Sequence, residues 1–180
     1  MFRPLGMRDT TFYLTEEQLE RLAKSYRLAD GQLVETPNVI LHGKSPTDRS
    51  RFPAANGGLF STAPDYRRFC QMILGRGTFE GKQLLSSEAV DLMTSLQTGD
   101  LQTGFTPGNG WGIGWCVVRE PQGVSAMLSP GSFGHGGRYG TQAWIDPKKS
   151  RIYVLLVQRA DFPNSDDSAI RKAFQQAAAP

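Results

Sequence analysis

The chain has 180 residues, of which 39% are hydrophobic and 21% are charged, a balance typical of one globular domain with a buried core. Its net charge of +3 is spread along the sequence without a run of lysines or arginines, so we expect no nucleic-acid partner. Apolar runs stay well below the roughly 20 residues that span a bilayer, and no signal-peptide pattern opens the sequence. We therefore predict no membrane span, and the compartment stays undetermined.

Metal and cofactor chemistry has little support in the sequence. Cys70 and Cys116 lie in apolar segments and are expected to be small buried side chains. The two histidines, His42 and His135, are far apart and share no cysteine or histidine at zinc-ligand spacing. Neither a phosphate-binding loop nor a dinucleotide fingerprint is present. We therefore predict no metal ion and no cofactor.

The first predicted helix follows a capping box. The Thr15 hydroxyl and the Gln18 side chain are placed to satisfy free N–H groups, and apolar residues then recur at helical spacing as far as Tyr26. The segment 29–53 is polar and rich in proline, which predicts a long surface loop. His42 lies in that loop and is expected to be solvated.

Two further helices are predicted before residue 100. The second begins after Thr62, with Asp65 closing a capping box, and ends at Gly75. The third is capped by Ser86 or Ser87. Its expected inward-facing side chains are apolar and recur at helical spacing: Ala89, Val90, Leu92, Met93 and Leu96.

After Gly99 the periodicity becomes that of strands. Alternation over 111–118 predicts one strand, and 125–128 is expected to be a short one. The segments 140–145 and 151–158 flank a five-residue connection and predict an antiparallel hairpin.

A final helix is predicted near the C-terminus and completes the fold class. It is expected to be capped within Asn164-Ser165-Asp166 and to bury one apolar side formed by Ile170, Ala173, Phe174 and Ala177. Helices and loops fill about 1–100, and strands with this helix fill about 110–180. The order predicts an α+β fold, an antiparallel sheet flanked by helices.

The stretch 130–141 is the densest in glycine and contains a titratable side chain. The residues alone allow two interpretations of His135-Gly136-Gly137. The commoner one is a tight turn with positive φ that leads into a strand. The other is a site in which main-chain N–H groups hold an oxyanion and His135 donates a hydrogen bond or moves a proton.

Several segments in this order favour the second interpretation, because they resemble the C-terminal half of the serine β-lactamase-like family. That family includes class C β-lactamases, D-alanyl-D-alanine carboxypeptidases and related esterases. The matching segments cover nearly the whole chain and are Pro4-Leu5-Gly6-Met7-Arg8-Asp9-Thr10, Ala55-Asn56-Gly57-Gly58-Leu59-Phe60-Ser61-Thr62-Ala63-Pro64-Asp65, Leu84-Leu85-Ser86, Gly110-Trp111-Gly112-Ile113-Gly114-Trp115 and Phe133-Gly134-His135-Gly136-Gly137-Arg138-Tyr139-Gly140-Thr141.

The resemblance implies roles for four residues. His135-Gly136-Gly137 stands where the family has Lys-Thr-Gly, and the N–H of Arg138 would be one oxyanion-hole donor. The family's Ser-x-x-Lys nucleophile and its Tyr-x-Asn are both absent from the sequence. We expect them upstream of Met1, with the chain forming the C-terminal part of a larger domain.

An incomplete β-lactamase/transpeptidase-like fold would leave an open sheet edge and an uncovered apolar face. We therefore expect a partner, either the chain's own N-terminal half or a second copy. The leading hypothesis is acyl transfer on a small-molecule ester, lactam or peptide. The alternative is a non-catalytic binding or structural domain. Members of the family are often periplasmic or secreted, but the compartment is not readable here.

Overall fold

The computed structural model describes residues 1–101, 106–162 and 166–179. Four α-helices are present within those ranges: α1 Glu16–Glu20, α2 Ala63–Leu74, α3 Ser87–Thr94 and α4 Ala169–Ala178. The strands there are β1 Tyr26–Ala29, β2 Gln32–Glu35, β3 Thr78–Phe79, β4 Lys82–Gln83, β5 Asn109–Trp111, β6 Cys116–Val118, β7 Phe133–Gly136, β8 Gln142–Asp146 and β9 Arg151–Leu155. Two short 3-10 helices cover Val39–Leu41 and Gly123–Ser125.

A five-stranded antiparallel sheet in the order β5-β6-β7-β8-β9 is the centre of the fold, with β7 in the middle. Helices α2 and α3 pack on one face, where Ile73 and Val90 meet the sheet residues Phe133 and Ile145. Helix α4 lies on the other face, beside Trp144 and Tyr153. The predicted α+β fold with an antiparallel sheet flanked by helices is confirmed.

Helix α2 follows its prediction most closely, and one detail of its cap differs. Thr62 is the N-cap and its hydroxyl accepts the Asp65 N–H, while Gly75 ends the helix. The Asp65 carboxylate does not close the predicted capping box. It instead accepts the N–H of Asp9 at 2.7 Å and the hydroxyl of Thr10 at 2.9 Å, which ties the N-terminal segment to α2.

The prediction for residues 15–53 was wrong in two places. The Thr15 capping box is present, but α1 ends at Glu20 and Tyr26 lies in a strand. The expected loop contains the β1–β2 hairpin, turned by Asp30 and Gly31 with φ of 49° and 76°. Two consecutive positive φ values match a type I′ turn, for which Asp-Gly is a preferred pair.

The predicted strand over 111–118 is two strands. Strands β5 and β6 pair as a hairpin, and Gly114 has a φ of 78° in the turn between them. The expected strand over 125–128 is also wrong, because the 3-10 helix Gly123–Ser125 occupies this part of the chain. The hairpin predicted from 140–145 and 151–158 is confirmed as β8 and β9, with trimmed ends.

Helix α3 follows its prediction except at Leu92, whereas α4 is oriented differently from its prediction. Ser86 caps α3 and Val90 is buried, but Leu92 is exposed. Part of the predicted α4 cap, Asn164-Ser165, lies outside the described residues, and the observed N-cap is Ser168. Helix α4 buries two polar side chains and leaves much of the predicted apolar side exposed. The buried pair is Arg171 and Gln175, and the exposed residues are Ile170, Ala173 and Ala177.

Both cysteines are free and buried, as their apolar neighbours predicted. Burial raises the pKa of the Cys70 thiol to about 12 and that of Cys116 to about 11. Such thiols stay protonated at neutral pH and are poor nucleophiles. Neither thiol is therefore expected to act as a nucleophile at neutral pH.

Within the described ranges, the helices are too short and too polar to cross a bilayer.

Candidate active site

Residues His135 and Gly136 form the last part of β7, at a place where the sheet opens on one side. Strand β8 pairs with β7 along its whole length, as far as Gly136 opposite Gln142. Strand β6 pairs only with Phe133 and Gly134. The end of β7 therefore has one edge that β6 leaves unpaired, next to the proposed Arg138 donor.

The glycines of this segment serve close packing within the strand. Positive φ occurs at Gly131 and Gly140, both 87°, but at neither Gly136 nor Gly137. The turn interpretation of His135-Gly136-Gly137 is therefore wrong for its first two residues, which lie in β7. A Cβ at Gly136 would collide with the Asp166 carboxylate, whereas one at Gly137 would meet Thr141 at 3.4 Å. A side chain at position 136 would therefore displace Asp166, which lies just before α4.

The His135 side chain is exposed, and its two ring nitrogens differ. Nδ1 lies within hydrogen-bond distance of the Gly136 carbonyl oxygen. A carbonyl oxygen only accepts, so a hydrogen bond here requires the proton to be on Nδ1. The Trp111 ring contacts the imidazole edge-on, with ring centroids 5.0 Å apart and an interplanar angle of 62°. The imidazole is therefore held from two sides.

Arg138 has an exposed side chain and an available main-chain donor. Its N–H donates to no carbonyl among the described residues. The neighbouring Gly137 N–H is occupied, because it donates to the Thr141 carbonyl at 2.6 Å. Arg138 lies in the turn after β7, and a main-chain N–H without a partner can hold an oxyanion.

Tyr139 fixes the turn that follows the candidate site. It is 5% exposed, and its phenol oxygen accepts the Val39 N–H at 2.9 Å. Its carbonyl accepts the Arg159 N–H at 3.0 Å, and the next residue, Ala160, donates to the Tyr26 carbonyl. The turn is thus tied to the β1–β2 hairpin and to the 3-10 helix Val39–Leu41.

Beneath the end of β7 lies a cavity of about 10 Å³, which has room for about one water molecule. His135, Gly136, Trp144 and Arg171 are among its lining residues. The Arg171 guanidinium stacks over the Trp144 ring at 4.1 Å, and burial lowers the Arg171 pKa to about 10. This cavity is too small to hold anything much larger than water.

The structure brings the four predicted site residues together at the end of β7 and leaves His42 elsewhere. His42 is an exposed residue that ends the 3-10 helix Val39–Leu41. Three neighbours of the site were not predicted as part of it: Trp111, Tyr139 and Asp166. The aromatic residues flanking glycines were the available signal for the first two. Across the described ranges, no three His, Cys, Asp or Glu side chains cluster as metal ligands.

Comparison with known proteins decides the family. The sequence model of the Beta-lactamase family matches residues 1–178. The chain belongs to the beta-lactamase family. The resemblance seen in the ordered motifs is therefore confirmed.

Two curated relatives show how much of a longer protein the chain represents. Protein Rv1367c of Mycobacterium tuberculosis H37Rv is 34% identical over 176 residues, covering 92% of the chain and 43% of the relative. A putative D-alanyl-D-alanine carboxypeptidase of Escherichia coli K12 is 25% identical over 192 residues, covering 100% and 43%. The chain spans less than half the length of these relatives.

A solved structure supports the fold. EstCE1, described as a hydrolase with promiscuous acyltransferase activity, superposes with a TM-score of 0.76 at 23% identity. The match covers 98% of this chain and 47% of EstCE1. The chain therefore has a β-lactamase/transpeptidase-like fold, present as a partial domain.

Proposed function

We propose that this chain is the C-terminal part of a serine hydrolase that acts on ester or amide bonds by acyl transfer. The observation that carries the proposal is the Arg138 N–H, which donates to no described carbonyl and lies in the turn directly after β7 of a beta-lactamase family chain. The chain has neither Ser-x-x-Lys nor Tyr-x-Asn and spans 43% of Rv1367c. Activity therefore depends on a segment that bears the nucleophile.

Each site residue has a distinct role in this proposal. The Arg138 N–H donates to the oxyanion of the tetrahedral intermediate, and the second donor comes from the nucleophilic serine. Gly136 and Gly137 have no side chains and so leave room for the substrate beside the end of β7. His135 orients the substrate or assists proton transfer. The substrate is a small-molecule ester, lactam or peptide, and the names of the relatives are consistent with this range.

The surface that receives the nucleophile-bearing half is proposed to include β9 and α4. Strand β9 is at the end of the sheet, so its outer edge has unpaired main-chain groups. Helix α4 exposes Ile170, Ala173 and Ala177. An open edge beside an exposed apolar helix side favours docking of the chain's own N-terminal half, or of a second copy.

The absence of a nucleophile favours a second candidate, a non-catalytic binding domain. In that case the unpaired end of β7 holds an extended peptide by main-chain pairing. The glycines would serve this role equally well. The two candidates differ in whether an acyl-enzyme forms.

The test compares two forms of the protein. One is the 180-residue chain, and the other is extended upstream to include any in-frame Ser-x-x-Lys and Tyr-x-Asn. Both are assayed with a chromogenic cephalosporin and a p-nitrophenyl ester, and a Ser-to-Ala variant of the extended form is the control. We expect turnover only from the extended form with its serine. Turnover by the short chain, or by the Ser-to-Ala control, would contradict the proposal.

A further inference from the structure

The main chain of Trp111 makes two hydrogen bonds to residues outside its hairpin. Its N–H donates to the Thr98 hydroxyl at 3.0 Å, and its carbonyl accepts the Gln97 N–H at 2.7 Å. A Cβ at Gly112 would collide with the Met93 carbonyl. The backbone on the C-terminal side of Trp111 is therefore pressed against the segment that ends α3. That contact fixes the backbone from which the indole extends.

The indole is directed at His135. The two ring centroids are 5.0 Å apart at 62°, an edge geometry that aromatic rings favour. Trp111 belongs to β5 and His135 to β7, and Cys116 of β6 pairs with both Trp111 and Gly134, the residue before His135. The ring contact therefore reaches across β6, just beyond the last pair that β6 makes with β7. It limits how far the imidazole can rotate.

The orientation of the imidazole decides which chemistry it offers. Nδ1 carries the proton, because its partner is the Gly136 carbonyl oxygen. In the neutral ring Nε2 then has a lone pair, and it hydrogen-bonds no described residue. The lysine of the family's Lys-Thr-Gly triplet can only donate hydrogen bonds. A neutral His135 with its proton on Nδ1 can accept a hydrogen bond at Nε2.

We propose that Trp111 is a positioning residue that holds His135 as the Nδ1–H tautomer, with Nε2 available to accept a hydrogen bond from a substrate hydroxyl. The inference deepens the proposed function and rests on it for the identity of the ligand. The tautomer and the ring contact are properties of the chain itself. They can be measured without any turnover.

Nitrogen-15 NMR of the imidazoles tests the inference on the 180-residue chain. The sequence holds two histidines, so exposed His42 is an internal control. We expect His135 to show the Nδ1–H tautomer and a ring-current shift in the wild type. Trp111→Ala should abolish that shift and give tautomer averaging like that of His42. Trp111→Phe should keep the tautomer and part of the shift.

Two results would overturn the inference. One is a wild-type His135 that exists as the Nε2–H tautomer. The other is a Trp111→Ala variant whose His135 signals match those of the wild type. If Trp111→Ala unfolds, the His42 signal and the amide spectrum change too. In that case the comparison of Trp111→Phe with Trp111→Leu shows whether an aromatic ring at position 111 is needed to hold the tautomer. A Leu variant that keeps the Nδ1–H tautomer contradicts the inference. Hydrolysis assays do not enter this test, so its failure is separate from failure of the proposed function.

Discussion

The phenol oxygen of Tyr139 accepts the main-chain N–H of Val39 at 2.9 Å, across 100 residues of sequence. This hydrogen bond joins the turn after His135-Gly136-Gly137-Arg138 to the 3-10 helix Val39–Leu41. Two segments that are 100 residues apart therefore fix the geometry of the candidate site. The position of the Arg138 N–H depends on contacts made far from it in sequence.

Tyr139→Phe should destabilise the chain by about 0.5–1.5 kcal/mol, because it removes a hydrogen bond in a largely buried setting. Urea unfolding measures the loss. Tyr26→Phe is the matched control, since Tyr26 is 36% exposed and its change should cost less than about 0.5 kcal/mol. Equal costs for the two variants would show that the Val39 contact contributes nothing.

Gly136→Ala should destabilise the chain by about 1–3 kcal/mol, because the new Cβ meets the Asp166 carboxylate. Gly137→Ala is the control, since its Cβ finds an ordinary contact with Thr141 at 3.4 Å and should cost less than about 0.5 kcal/mol. Thermal unfolding compares the two. A Gly136→Ala variant as stable as Gly137→Ala would mean that Asp166 does not press against β7.

Asp146 should make folding sensitive to acid. Burial alone would raise its pKa, but hydrogen bonds from the Ser129 and Lys149 N–H groups outweigh burial and lower it below 3.8. A lowered folded-state pKa adds stability that is present above about pH 4 and is lost as the pH falls through the folded value.

Asp146→Asn keeps one acceptor oxygen, so it should cost about 1–3 kcal/mol at pH 7. The difference from the wild type should shrink below about pH 4, as followed by urea unfolding across pH. Asp100→Asn is the control, because this carboxylate is fully exposed and its ion pair with Arg119 is at the surface. A pH-independent Asp146→Asn difference would contradict the prediction.

The sequence predicted best where one local signal decides the structure. Thr62 and Gly75 bound α2 because caps act within one turn. The hairpin at Asp30-Gly31 was also a local signal, and it was missed because proline-rich surroundings suggested a loop. Both ends of α2 and this turn could therefore be predicted from the sequence.

Other features depend on tertiary contacts that no local pattern contains. Arg171 is buried because its guanidinium stacks on Trp144 from a distant strand. The predicted strand is divided by the turn at Gly114, and Gly112 in the same turn lies against the end of α3. The sequence proposed His135, Gly136, Gly137 and Arg138 as site residues, and that assignment stays a prediction. It could not place Trp111 or Asp166 beside them, because both contacts join segments that are distant in sequence.

The central claim is that the Arg138 N–H is an oxyanion donor, and a pair of variants in the chain joined to its serine-bearing half tests it most directly. Arg138→Pro removes the N–H, whereas Arg138→Ala removes only the guanidinium and keeps the N–H. We expect Arg138→Pro to lower kcat for a p-nitrophenyl ester by about 10²–10³-fold and Arg138→Ala to lower it far less. Circular dichroism confirms that both variants are folded. A folded Arg138→Pro variant with the kcat of Arg138→Ala would contradict the claim.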